Sequence, residues 1–240
     1  MIRIAAVLLS VIVAGAPPAA AAEDEPAPVT VAVVGDSLAG NYCRGLQRTL
    51  GRAEGWRLLC WSHPSSGLTR VDFFDWDAKL REYLGATVPD IAFVAMGAND
   101  AQRIVLSDRV LDFETDDWAA VYGARMDAML AQFAAAGTRV VWVGLPTASS
   151  ARYARRLNWL NGIYEAHAAA AGVDYVPLWE RTSDAAGKYV STLPDSTGRD
   201  RPARQSDGFH FSMDGETLVA CALLTWLPGV SRAEDLSRSC

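Results

Sequence analysis

The sequence predicts an α/β domain built on a parallel sheet, and three observations carry that prediction. Five short apolar runs alternate along the chain with stretches of helical spacing. The first run, Val29–Gly35, is apolar or β-branched at every position before its glycine, the pattern of a strand covered on both faces. No internal repeat and no linker divides the chain. Together they give one doubly wound domain.

Taken in order, Val29–Gly35 is the first strand, and it enters a tight turn that delivers Asp36 and Ser37. Asn41–Leu50 has helical spacing, and glycines from Gly51 to Gly55 break it. Trp56–Trp61 is a second strand. His63 to Gly67 is a loop, because proline and glycine punctuate it. Val71–Tyr83 returns to helical spacing and ends near Gly85. Ile91–Met96 is the third strand and stops at Gly97-Ala98-Asn99-Asp100. Gln102–Asp117 is mixed. Trp118–Ala136 is an amphipathic helix with Gly137 as its C-terminal cap. Val140–Gly144 is the fourth strand. Arg152–Ala171 is a helix closed by Gly172, and Val173–Leu178 is the fifth strand. Ser183–Ser206, polar and broken by Gly187, Pro194, Gly198 and Pro202, predicts a long mobile loop. Ser212 can cap a last helix running to about Leu227.

Composition narrows the function classes. Of 240 residues, the first 22 have the form of a secretory signal: Arg3, an apolar run over Ile4–Gly15, and Ala20-Ala21-Ala22 before Glu23. That run is too short to span a bilayer, which takes roughly 20 apolar residues. The expectation is a secreted or periplasmic domain over residues 23–240, with no stable membrane insertion once the signal is removed. The net charge is −6, only two of 22 basic residues are lysines, and no basic stripe runs along a helix, so nucleic acid is not expected as a partner. Four cysteines, Cys43, Cys60, Cys221 and Cys240, contain no C-x-x-C pair, which argues against a zinc ribbon. An even number in an oxidising compartment suggests disulfides. Of the three pairings, Cys43–Cys60 with Cys221–Cys240 closes the shortest loops.

In parallel sheets of this kind ligands sit beyond the carboxyl ends of the strands. Ser37, Gly67 and Asn99 follow the first three strands, and Asp207-Gly208-Phe209-His210 immediately precedes the last helix, so one edge should gather all four groups. Asp207 and His210 are three residues apart, a spacing at which a buried aspartate can hold one ring nitrogen while the other faces Ser37. Such a histidine can take the serine proton and return it to a leaving alcohol. The Ser37 N–H, the Gly67 N–H and the Asn99 amide could surround an oxyanion.

These blocks, G-D-S-L at Gly35–Leu38, a glycine at Gly67, G-A-N-D at Gly97–Asp100 and D-G-F-H at Asp207–His210, resemble the four blocks of the SGNH (GDSL) hydrolases, in the family's order and across almost the whole chain after the signal. S-G-L-T-R-V-D-F-F-D-W, Ser66–Trp76, also resembles a subgroup of exported bacterial members. The resemblance implies a flavodoxin-like three-layer fold with a five-stranded parallel sheet, and esterase, lipase or acyl-transfer chemistry with neither metal nor cofactor. It implies Ser37 as nucleophile, His210 as base, Asp207 as the acid, and Ser37, Gly67 and Asn99 as oxyanion donors.

The expected activity is hydrolysis of short acyl esters, acetyl foremost, on a carbohydrate or other envelope component. The rivals are transfer of the acyl group to a glycan hydroxyl and a non-catalytic glycan-binding role. An α/β-hydrolase elbow fits less well: only one strand precedes Ser37, and alanine ends the G-D-S-L-A element. Dinucleotide and P-loop glycine patterns are missing from the sequence. Outside the four blocks, His63 is expected to be structural and His167 solvated, as are Arg152, Arg155 and Arg156. Arg199, Arg201 and Arg204 are expected on a soluble loop, with attraction of an anionic substrate as the sharper alternative. The tryptophans are expected mostly in the core or on its rim, with stacking on a sugar as the sharper alternative for Trp61 and Trp76, which flank the cleft. Asp100 could cap the following segment or support the site from behind.

Overall fold

A computed structural model describes residues 27–50 and 55–225. The element order is β1 (Val29–Gly35), α1 (Ser37–Leu50), β2 (Trp56–Ser62), α2 (Trp76–Ala86), β3 (Ile91–Ala95), β4 (Ile104–Val105), β5 (Val110–Leu111), α3 (Asp116–Ala136), β6 (Arg139–Val143), α4 (Ala151–Ala171), β7 (Asp174–Val176), α5 (Leu178–Arg181), β8 (Thr192–Pro194), β9 (Asp200–Pro202) and α6 (Met213–Leu224). Five of the strands form one sheet in the order β2-β1-β3-β6-β7, and every neighbouring pair is parallel. This is the flavodoxin-like arrangement, with the strand order reversing between β1 and β3.

Burial explains why these segments are strands. All five residues of β3 are buried, as are the last five of β1, whereas β2 at the sheet edge is nowhere fully buried. One face carries α1 against α6; on the other, α2 packs on α3 and α3 on α4. The long helices are capped locally. Thr115 and Ser150 accept the Trp118 and Tyr153 N–H groups, and Gly137 and Gly172 end α3 and α4 in the left-handed conformation.

Three expectations are corrected. The helix expected from Val71 starts at Trp76, because Asp75 accepts the Ala78 N–H as its cap, and residues 71–73 form a turn held by Phe73 and Phe74 N–H bonds to the Arg70 carbonyl. The Ser183–Ser206 segment is not an unstructured loop. It holds the antiparallel β8–β9 hairpin, whose turn is built on Asp195 accepting the Thr197 and Arg199 N–H groups. The fifth strand is shorter than expected, since Pro177 follows it and α5 begins at Leu178. The mixed Gln102–Asp117 stretch contains a second hairpin, β4–β5.

Cys43 and Cys60 form a disulfide that ties α1 to β2, and Cys221 is also disulfide-bonded. Cys240, the other half of the second expected pairing, lies outside the described residues, as do the signal-like residues 1–22 and the expected end of the last helix at Leu227. No described helix is long and apolar enough to cross a membrane.

Candidate active site

The site lies where the strand order reverses, since the connections after β1 and β3 leave the sheet toward opposite faces and open a crevice. Gly35 is the last residue of β1, with φ of 144°, and a Cβ there would overlap the Ala95 carbonyl. Only glycine permits this approach, and it lets the chain turn at once into α1 with Ser37 as the first helical residue.

Asp36 is wholly buried and acts as a clamp. Its Oδ1 accepts the Leu38 N–H at 2.9 Å, capping α1, while Oδ2 accepts the Gly97 and Ala98 N–H groups, both at 2.9 Å. Burial pushes its carboxyl up to about 7, against the pull of those three donors. Asp100 does the same one loop further on. It accepts the Leu68 and Thr69 N–H groups, the Thr69 hydroxyl and the Tyr122 hydroxyl. A Cβ at Gly67 would overlap that carboxylate, so the glycine allows the loop to seat on Asp100. Burial raises the Asp100 carboxyl, opposed by the N–H groups of Thr69 and Leu68. The Asn99 amide donates to the Ser66 carbonyl at 2.9 Å with one of its two hydrogens. The loops bearing Ser37, Gly67 and Asn99 are thus joined into one unit.

His210 arrives on the segment before α6. Asp207 folds back on its own chain: Oδ1 accepts the Phe209 and His210 N–H groups, and Oδ2 lies 2.6 Å from His210 Nδ1. Gly208, at φ of 70°, makes the turn, and a Cβ there would overlap the Ser149 hydroxyl. The other ring nitrogen, Nε2, lies 2.8 Å from Ser37 Oγ. With Nδ1 protonated and donating to Asp207, Nε2 accepts from the Ser37 hydroxyl. One expected property differs. The Asp207 side chain is 47% exposed rather than buried, because it stands on the outer side of the turn. Burial raises its carboxyl, but the His210 ring and two N–H groups outweigh that and hold it below the ordinary carboxylate value.

What holds this segment is tertiary. Arg204 is buried rather than on a soluble loop. It donates to the Phe209 carbonyl at 2.7 Å, and its guanidinium lies 4.3 Å from the centre of the Phe211 ring. Burial pulls its pKa down to about 10. Arg201 is paired with Asp195. On the α1 side, Glu216, nearly buried, accepts from Asn41, Arg44 and Arg48. Asn41 also accepts the Phe211 N–H at 3.4 Å. The sequence offered no sign of the clamping roles of Asp36, Arg204 and Glu216, which rest largely on partners distant in the chain; Asp100 supports the site from behind, one of its two expected roles.

Among the remaining residues, Trp76 is 2% exposed and donates to Ser66 Oγ, so it is unavailable for stacking on a sugar. Trp61 stacks on Tyr83 instead. His63 stacks on Phe74, in keeping with a structural role. His167 pairs with Asp127, Arg155 lies 3.5 Å from Glu114, and Arg156 lies over the Phe113 ring. No cluster of metal-ligating side chains is found among the described residues.

Residues 30–226 match the family described as "Protein of unknown function (DUF459)". No curated protein matches the chain. Solved structures similar to it include an acetyl xylan esterase, AlAXEase (16% identity, 83% of this chain and 100% of that one, TM-score 0.60). A GDSL-like lipase from Bacteroides thetaiotaomicron is similar at 15% identity over 88% of this chain and 89% of that one, with a TM-score of 0.57. LAE5, an α/β hydrolase enzyme from the metagenome of Lake Arreo, Spain, aligns over 88% and 97% at 15% identity with a TM-score of 0.63. The chain therefore belongs to the DUF459 family, and it carries the fold of the SGNH (GDSL) hydrolases.

Proposed function

We propose that the chain is an exported serine esterase that removes short acyl groups from an acylated glycan. The observation that carries this is the unbroken relay from Ser37 Oγ through His210 to Asp207, with contacts of 2.8 and 2.6 Å between groups 173 and three residues apart. His210 Nε2 takes the hydroxyl proton as Ser37 Oγ bonds to the acyl carbon, and the carbonyl electrons move onto oxygen. The Ser37 and Gly67 N–H groups and the second Asn99 amide hydrogen are the donors offered to that oxyanion. Collapse expels the alcohol, which receives the proton from His210. Water then repeats the sequence on the acyl-serine: its proton passes to His210, and Ser37 leaves with it.

The glycan assignment draws support from structural neighbours named as acetyl xylan esterases. Export draws support from the signal-like leader over residues 1–22 and from the Cys43–Cys60 disulfide. The exposure of the relay, with His210 at 30% and Asp207 at 47% in their side chains, leaves room for a sugar hydroxyl to take the place of water, which favours acyl transfer as the second reading. The test is hydrolysis of 4-nitrophenyl acetate by the wild-type chain and Ser37→Ala. A loss of at least about 10⁴-fold in turnover is expected, and equal rates would refute the proposal. Adding glycan acceptors and looking for acylated products by mass spectrometry separates transfer from hydrolysis.

A further inference from the structure

A groove of about 530 Å³ lies beside the proposed oxyanion donors, between the loop after β2 and the β4–β5 hairpin. Thr69, Arg70, Asp72, Gln102, Arg103 and Arg125 line it, with Val71 and Val105 as apolar edges. Three guanidinium groups face one carboxylate, in a chain whose net charge is −6. Its walls are tied to the proposed oxyanion donors by short links: Thr69 is two residues from Gly67, and the Gln102 amide donates to the Asn99 carbonyl at 2.5 Å. Arg70 is held by Asp72 at 2.8 Å. Arg125 is half-buried; its Nη1 donates to the Leu68 carbonyl at 2.5 Å and toward that of Thr69. Arg103 is exposed and has no carboxylate partner among the described residues.

Nothing in the catalytic relay uses these cations, and each sits on the two loops that carry Gly67 and Asn99 or on the helix behind them. Guanidinium forks recognise carboxylates by paired N–H donors, and a net surplus of positive charge in an open groove suits singly charged groups repeated along a polymer. We infer that this groove is a specificity subsite for the carboxylate of an acidic sugar, so that the preferred substrate is an acylated polyuronate rather than a neutral glycan. The inference rests on the esterase reading for its catalytic consequence, while binding in the groove is independent of it.

The experiment has two arms on the full chain and Arg103→Glu. In the first, acetate release from acetylated polygalacturonate and from acetylated xylan is compared. The ratio of kcat/KM for the acidic over the neutral polymer should fall about tenfold in the variant, the scale of one charge-assisted contact. In the second, unesterified oligogalacturonate and inorganic phosphate are titrated by calorimetry. Oligogalacturonate should bind the wild type, about tenfold more weakly in the variant and more weakly again as salt rises. An unchanged ratio in the first arm, or oligogalacturonate binding indifferent to Arg103→Glu, overturns the subsite. Phosphate binding without oligogalacturonate binding also overturns it. Arginine-dependent binding with no ester hydrolysis at all supports the groove and counts against the esterase reading instead.

Discussion

The two carboxylates of the site, Asp36 and Asp207, do opposite work in opposite surroundings. Asp36 is wholly buried and accepts three backbone N–H groups, one from the first turn of α1 and two from the loop after β3, welding the Ser37 corner to the Asn99 loop. Asp207 is half exposed and holds only its own turn and the His210 ring. The side of the proposed nucleophile, Ser37, is therefore part of the sheet's rigid framework. The side of the proposed base, His210, is a turn kept in place by packing from Arg204, Asn41 and Glu216. Damage on the first side should reach stability as well as turnover. Damage on the second should reach turnover alone.

The largest expected effect tests the buried carboxylate. Burial pushes Asp36 up to about 7 from an ordinary 3.8, so between those values the folded chain keeps a proton that the unfolded chain has released. The Asp36 contribution to stability is complete below about pH 4 and declines as pH rises toward 7, by about 4 kcal/mol at most. Urea unfolding from pH 4 to 8 measures that slope. Asp36→Asn should flatten it and lower stability throughout, because an amide cannot accept at both positions. A slope identical in both proteins would show that Asp36 does not carry the buried proton that sets the two sides apart.

Next comes the Asn99 loop, on the same rigid side but with its side chain partly open to solvent. Asn99→Ala should reduce turnover on 4-nitrophenyl acetate by about 10²–10³, with KM little changed. A rise in KM with turnover intact would assign the amide to ground-state binding instead.

The smallest effect belongs to the exposed carboxylate. Asp207→Asn should reduce turnover by about 10–100-fold, less than the roughly 10⁴ typical of a buried triad aspartate, because water can partly replace an exposed partner. Thermal unfolding should hardly move. The Asp207 carboxyl sits below its ordinary value, so the contact it stabilises is present above that range and is lost only as pH falls through the depressed value. Any decline in activity near neutrality should then persist in Asp207→Asn.

Much of the fold was legible because its strands are covered on both faces, which leaves an unbroken apolar signature in β1 and β3. The C-terminal helix ends at Gly137 and Gly172 were equally legible, since a left-handed glycine cap is settled within four residues, whereas the N-terminal caps Thr115 and Ser150 were found only in the structure. The helix after β2 was misread by five residues. Valine and phenylalanine at 71–74 continue the helical spacing, but the chain turns there, and Asp75 starts the helix. The Ser183–Ser206 hairpin was hidden because its turn depends on side-chain hydrogen bonds of Asp195, which leave no periodicity.

By itself the sequence determined a five-stranded α/β domain and the residue types of a serine–histidine relay at strand ends. Those follow from local physics: apolar runs, glycine turns and a three-residue spacing between Asp207 and His210. The meeting of Ser37 with His210, the burial of Asp36 and Arg204, and the arginine groove beside Asn99 were decided only by the tertiary structure. Each depends on groups tens of residues apart being packed together, and no local pattern records which distant partner a buried polar group will find.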